Sequence, residues 1–200
     1  MSAGRRAGQR YDAEHGVATE ALIFLGELDP DAIGPSLAFA THYEPTPLAD
    51  LERLLDALPL PPERTTFIDL GSGMGRAVLS AAARPYRQVI GVEFSPALHA
   101  IAKDNRASYR GELRCHDIRL VCADAGGFSF PRGDLAVYLY NPFSAEILAP
   151  ILARLAADAS REVTVAYHTP LERDVLDEHP AFELTTDLGF GLIYRFRREV

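Results

Sequence analysis

Four short groups of residues have the types and spacing to do chemistry. The first is Asp69-Leu70-Gly71-Ser72-Gly73-Met74-Gly75-Arg76, three glycines at alternate positions opened by an acid. The apolar run of Phe67, Ile68 and Leu70 leads into its glycines, and Ala77 to Ala83 follow, so it reads as strand, glycine turn, helix. Backbone N–H groups and a helix N-terminus face a ligand in that geometry. A dinucleotide fingerprint needs its third glycine one position later, where Arg76 stands. Alternate glycines behind an acid suit S-adenosylmethionine (SAM) better than a pyrophosphate. SAM brings an amino-acid tail and a sulfonium, and the glycines let backbone approach it closely. Asp69 can set the loop through backbone N–H groups and attract the ligand's ammonium. Taken alone, the same glycines would also serve a tight turn that needs φ > 0.

The other groups follow at regular intervals. Glu93 ends an apolar stretch and can accept two hydrogen bonds from a ribose diol, the duty of the acid about 20 positions on in nucleotide folds. Asp124, in Ala123-Asp124-Ala125-Gly126-Gly127, can accept from an adenine amino group, although aspartate is also a common turn residue. Asn141-Pro142-Phe143 follows a strongly apolar run. The Asn141 carboxamide oxygen can accept from an N–H nucleophile, and Phe143 can lie against a ring or a methylene chain. The competing reading there is an Asn-Pro turn with Phe143 in the core. His168 could take a proton, but a lone histidine near a strand end is more often structural. The remaining histidines, at 15, 42, 99, 116 and 179, show no ligand spacing, so no metal is assigned.

The elements that must position these groups alternate. Leu48 to Leu58 carries leucines on one helical face, and Pro59, Pro61 and Pro62 end it before the first central strand. Strands are expected over Gln88–Glu93, Ile118–Cys122, Asp134–Tyr140 and Glu162–Tyr167, with helices over Pro96–Tyr109, Ala145–Ala159 and Leu171–Glu178. Phe182–Leu188 and Phe190–Phe196 are too close for a helical crossover and read as an antiparallel hairpin. The expected fold is therefore α/β, a doubly wound, mostly parallel seven-stranded sheet with an antiparallel C-terminal hairpin, plus an N-terminal helical segment. Ahead of it, Met1 to about Arg10 reads as a mobile tail, Ala18 to Leu28 as a helix, and Thr41 to Pro47 as extended chain. Residues 1–47 are thus expected to be tail and lid, and 48–200 the catalytic domain.

Bulk composition narrows the partners. A net charge of −8 leaves no broad basic surface for a nucleic-acid backbone, which disfavours nucleic acid as a partner. No apolar run approaches the ~20 residues that cross a bilayer. Two cysteines, Cys115 and Cys122, make neither a disulfide framework nor a metal cluster, which points to a reduced, cytoplasmic protein. Nothing in the sequence indicates an oligomeric state.

Asp69-x-Gly71-x-Gly73-x-Gly75, Glu93, Asp124 and Asn141-Pro142-Phe143 together resemble the motif series of class I (Rossmann-like, seven-stranded) SAM-dependent methyltransferases. That resemblance implies cofactor contacts from Asp69, Gly71, Ser72, Gly73, Gly75, Glu93, Phe94, Asp124 and Asn141. It implies SAM as cofactor, S-adenosylhomocysteine (SAH) as product, and no metal. Tyr43-x-Pro45-Thr46-Pro47 ahead of the helix and glycine loop is similar to the non-SET protein lysine methyltransferases of Rossmann fold, which adds Tyr43 and Thr46 beside the cofactor. Tyr11-Asp12-x-x-His15-Gly16-x-x-Thr19 resembles the leader of a set of uncharacterised bacterial methyltransferases, and implies a lid. Asn141-Pro142-Phe143 is similar to the motif of amide and amino-group N-methyltransferases but lacks the second proline before the aromatic, which speaks against nucleobase or glutamine acceptors. The implied reaction is in-line methyl transfer, with Asn141 orienting the acceptor and Phe143 walling the pocket. The acceptor is expected to be an amino group of a protein side chain or small molecule. The alternatives are O-methylation of a small molecule, a SAM-binding module without turnover, and a nucleotide-dependent oxidoreductase.

Overall fold

A computed structural model of the 200-residue chain describes residues 3–24, 42–140, 143–157 and 162–197. In chain order the elements are α1 (Ala3–His15), β1 (Ile23–Phe24), β2 (His42–Tyr43), α2 (Leu48–Ala57), β3 (Thr66–Leu70), α3 (Arg76–Ala82), β4 (Gln88–Glu93) and α4 (Pro96–Ser108). They continue through β5 (Ile118–Cys122), β6 (Leu135–Tyr140), α5 (Ala145–Ala156), β7 (Val163–His168), α6 (Arg173–Asp177), β8 (Phe182–Asp187) and β9 (Gly191–Phe196).

Seven of the strands form one sheet in the order β5-β4-β3-β6-β7-β9-β8, and β1 with β2 makes a separate two-residue ladder. Pairing is parallel from β5 through β7, while β9 runs antiparallel to both β7 and β8. The expected doubly wound sheet with its hairpin is therefore present. The central strands are apolar at nearly every position because helices cover both faces. Ile68, Leu70, Val137, Leu139 and Val165 pack with α5 and α6 on one side. Phe67, Val89, Ala136 and Tyr138 pack with α2 and α3 on the other. Strand order reverses at β3, which pairs with β4 on one edge and β6 on the other. A crevice opens beyond the C-terminal strand ends at such a reversal.

The N-terminal region departs from the sequence expectation. The expected tail is helical, as α1, and the expected helix from Ala18 is not one: residues 18–22 have no regular structure and lead into β1, while 25–28 lie outside the described residues. Side chains have taken the backbone groups a helix would use. Asn105 accepts from Ala18 N (2.8 Å) and donates to Ala18 O (3.1 Å), and the Asp12 carboxylate accepts from Thr19 N (2.6 Å) and Glu20 N (2.7 Å). Such local competition is how short polar side chains displace helix. No apolar stripe announced α1, because its docking is aromatic and polar: His15 stacks between Tyr11 (4.2 Å) and Tyr109 (5.2 Å).

Helix α3 lies so close to the sheet that Gly91 on β4 has no room for a side chain. A Cβ there would sit 2.7 Å from Val78 Cγ2 and 2.9 Å from Ser72 Oγ. Gly91→Ala is therefore expected to destabilise the protein by about 1–3 kcal/mol, the usual range for overpacking. Urea unfolding of the two proteins measures it, and equal midpoints would contradict the packing described.

Candidate active site

The crevice holds a cavity of about 530 Å³. The glycine loop, Glu93 at the end of β4 and Phe94 just past it, Asp124 after β5, Tyr138 and Tyr140 on β6, and Thr169 and Glu172 after β7 line it, together with Tyr43 to Thr46 from the N-terminal region. The structure thus gathers Tyr43, Thr46, Asp69, Gly71, Ser72, Gly73, Glu93, Phe94, Asp124 and Phe143 around one space. Gly75 is absent from the lining and caps α3 instead. Asn141 lies outside the described residues.

The loop keeps its shape through conformations that favour glycine. Gly71, Gly73 and Gly75 have φ of +83°, +52° and +89°. Val92 O accepts from Gly71 N (2.9 Å) and Ser72 N (3.0 Å), which binds the loop to the end of β4. Glu93 completes the attachment, one oxygen accepting from Gly73 N (2.7 Å) and the other from Ser95 N (2.8 Å). Only 3% of Glu93 is exposed. Burial raises its pKa, and the amide hydrogen bonds oppose that rise. The residue expected to hold a ribose is therefore also the clamp of the loop. Its oxygens still carry free lone pairs toward the cavity it lines.

Asp69 is different. It is equally buried, lines the cavity, and makes no hydrogen bond to any described residue. Burial, with the charge of Glu93 behind it, pushes its pKa up to about 8. A carboxylate in that setting awaits a donor or a cation, which fits the ammonium of an amino-acid tail. The cradle fits too: the Tyr43 ring packs so closely on Gly73 that any side chain there would collide with it. Thr46 Oγ1 sits 2.7 Å from Tyr138 Oη, and Asp124 accepts from Gly126 N (2.7 Å) in a turn after β5. These residues could hold an adenosyl amino acid. Among the described residues, no group of three or more His, Cys, Asp or Glu is placed to hold a metal.

Several lining residues were not anticipated. Glu44 is the unspecified position within Tyr43-x-Pro45-Thr46-Pro47, and Glu172 sits in a loop with no motif around it. Tyr138 and Tyr140 share one face of β6 by simple alternation, a signal that its apolar composition masks. Tyr140 is hydrogen-bonded to Glu44, and burial followed by that carboxylate pushes its pKa up to about 12. His168 does not line the cavity. It is buried at the end of β7, with Nδ1 2.9 Å from Thr169 Oγ1 and Nε2 3.5 Å from Asp50 Oδ2, and it joins β7 to α2. Burial lowers its pKa and Asp50 opposes the shift.

The raised Asp69 pKa has a defined effect on stability. Its contribution is fully present below about 3.8 and is lost as pH rises through about 8, at up to about 1.4 kcal/mol per pH unit. Asp69→Asn removes that loss, so the ligand-free variant should melt above the wild type at pH 8.5. The gap should shrink steadily as pH is lowered toward 4.5. Thermal melts across that range check it; a gap that does not vary with pH would show that Asp69 ionises freely.

The Methyltransferase domain family matches residues 67–163, from β3 into the start of β7. No curated protein matches the sequence. Among solved structures, a ribosomal protein L11 methylase from Lactobacillus delbrueckii subsp. bulgaricus is similar over 75% of this chain and 77% of its own, at 18% identity and a TM-score of 0.51. Magnesium protoporphyrin IX methyltransferase from Synechocystis PCC 6803, with bound SAM, is similar over 76% and 77%, at 15% identity and 0.52. An RNA methyltransferase from Salinibacter ruber, in complex with SAH, is similar over 76% and 92%, at 19% identity and 0.52. At these identities the likeness speaks for the fold, and the family match speaks for the loop and strands that build the cavity. Residues 67–163 match the Methyltransferase domain family, and the sheet they belong to has the fold of these solved methyltransferases.

Proposed function

We propose that the protein methylates an amino group, on a protein side chain or a small molecule, within this cavity. One observation carries the reading: the charge of the described cavity wall. Glu44, Asp69, Glu93, Asp124 and Glu172 line it, and the sole lysine or arginine is Arg76, whose guanidinium is occupied by Asp12, Glu20 and Thr19. Glu44, Asp124 and Glu172 make the wall attractive to cations and repellent to phosphate, and Asp69, mostly protonated in the free protein, adds its charge when a cation is present. A cationic amine is drawn in, whereas an RNA backbone meets like charge at the entrance.

In this reading Asp69 and the glycine loop hold the amino-acid tail of SAM, Glu93 the ribose, and Asp124 the adenine edge, with Phe94, Tyr43 and Thr46 closing around them. The cofactor supplies an activated methyl on a sulfonium. The protein's part is to align the acceptor and strip its water. Phe143, Tyr140 and Ile147 give an apolar wall for the acceptor's carbon chain. Asn141 is assigned to orient the nitrogen lone pair. An ammonium must lose its proton before attack, and exposed Glu44 at the cavity edge offers a carboxylate through which it passes to water. Residues 48–200 form the catalytic domain, and 1–47 its accessory segment, of which Tyr43 to Thr46 reach the cavity.

Methyl-labelled SAM offered with an amine and lysine-peptide panel, and separately with short RNAs, tests the proposal. Label is expected in the amine panel. Label in RNA with a blank amine panel would overturn it. Calorimetry is expected to show binding of SAM and SAH but not NAD. Asn141→Ala should reduce turnover about 100-fold or more while leaving SAH affinity within about threefold, as for an interaction made in the transition state.

A further inference from the structure

Arg76 occupies the position after the last glycine of the loop and begins α3. A cation at a helix N-terminus is opposed by the helix dipole, and this one is 97% buried by its 3% exposure. A buried guanidinium is tolerable only when it is paired. Its described polar partners lie outside α3, most of them in one stretch of the N-terminal segment. Nε donates to Thr19 Oγ1 (2.8 Å), and NH2 lies 2.8 Å from Glu20 Oε2, an ion pair in distance but too poorly angled to be a hydrogen bond. Asp12 Oδ1 stands 3.7 Å away, and NH1 donates to Thr46 O (3.2 Å). Helix α1 fits flush over this cluster, because a side chain at Gly8 would strike the Glu20 carboxylate.

Two more links join the same segment to the same loop. Asn105 of α4 holds both backbone groups of Ala18 and also donates to Met74 O (2.9 Å). Tyr43, whose ring covers Gly73, donates its hydroxyl to Thr19 O (3.0 Å). Residues 73, 74 and 76 of the loop are thus each tied to residues 12–20, yet no residue from 3 to 22 lines the cavity.

We infer that Arg76 is a positioning residue that makes docking of residues 11–22 a condition for the ligand-ready glycine loop, so that occupancy of the cofactor site and order in this segment rise together. The inference rests on the cofactor assignment above. Linkage requires the effect to run both ways: if docking favours the loop, a ligand on the loop favours docking. Residues 11–22 do not line the cavity, so the effect reaches them through the residues that join them to the loop.

Hydrogen exchange on the full-length protein, with and without saturating SAH, is the test. SAH is expected to slow exchange at least tenfold over residues 11–22 as well as over the loop. Arg76→Met should weaken SAH binding about tenfold or more and abolish the response of 11–22. Thr19→Val removes the hydroxyl that Arg76 uses while keeping its shape, and serves should Arg76→Met fail to fold. SAH binding with no change over 11–22, or a folded Arg76→Met with wild-type affinity, would overturn the inference alone. A wild type that binds no SAH would instead overturn the cofactor assignment, and the inference with it.

Discussion

The turn from β3 into α3 depends on one buried carboxylate. Glu93 sits on the next strand, yet it holds the amide of Gly73 and, through Ser95, the start of α4. Burying a carboxylate is costly unless strong donors meet it, and backbone amides are such donors. Three left-handed glycines are the means by which the loop presents those amides. Loop, β4 and the start of α4 are therefore joined as one hydrogen-bonded unit. The register of β3 against β4, with Asp69 opposite Gly91 and Leu70 opposite Val92, carries the unit into the sheet.

Asp69 shows the opposite economy. With Glu93 satisfied by amides, the second carboxylate stands buried beside it without a partner among the described residues. The free protein avoids an unpaired buried charge at neutral pH by keeping this group, which titrates near 8, mostly protonated. A cationic ligand would reverse the balance by favouring the ionised form. The wall is thus tuned to be better with a positively charged occupant than without one, and the same physics extends along it to Glu44 and Glu172. The acid excess noted for the whole chain is concentrated where chemistry would occur.

Much of this was legible in the sequence because the responsible signals are local. Strand, alternate glycines and helix announced the loop, and Glu93 was placed by its position after an apolar run. The alternation of strands with amphipathic helices fixed the sheet, since a period of 2 against 3.6 needs no knowledge of tertiary contacts. The N-terminal region was misread for the same reason. α1 has no apolar stripe, and the 18–22 stretch looks helical only until Asn105 and Asp12 claim its backbone from 87 and 7 residues away. Glu44 falls on the unspecified position of Tyr43-x-Pro45-Thr46-Pro47 and Glu172 carries no pattern; both matter through where the fold brings them. Arg76 was visible, but only as the wrong residue for a dinucleotide loop.

That last residue links the two halves of the molecule. A third glycine in its place would remove the loop's charged tie to the N-terminal segment, leaving only the links through Asn105 and Tyr43, and Asp12 and Glu20 would lose the guanidinium they share. With arginine there, the loop gains a charge that must be neutralised, and the segment supplies the neutralising groups at residues the sheet itself does not need. The departure from a dinucleotide loop and the presence of an ordered N-terminal segment are therefore one structural decision seen from two ends of the chain.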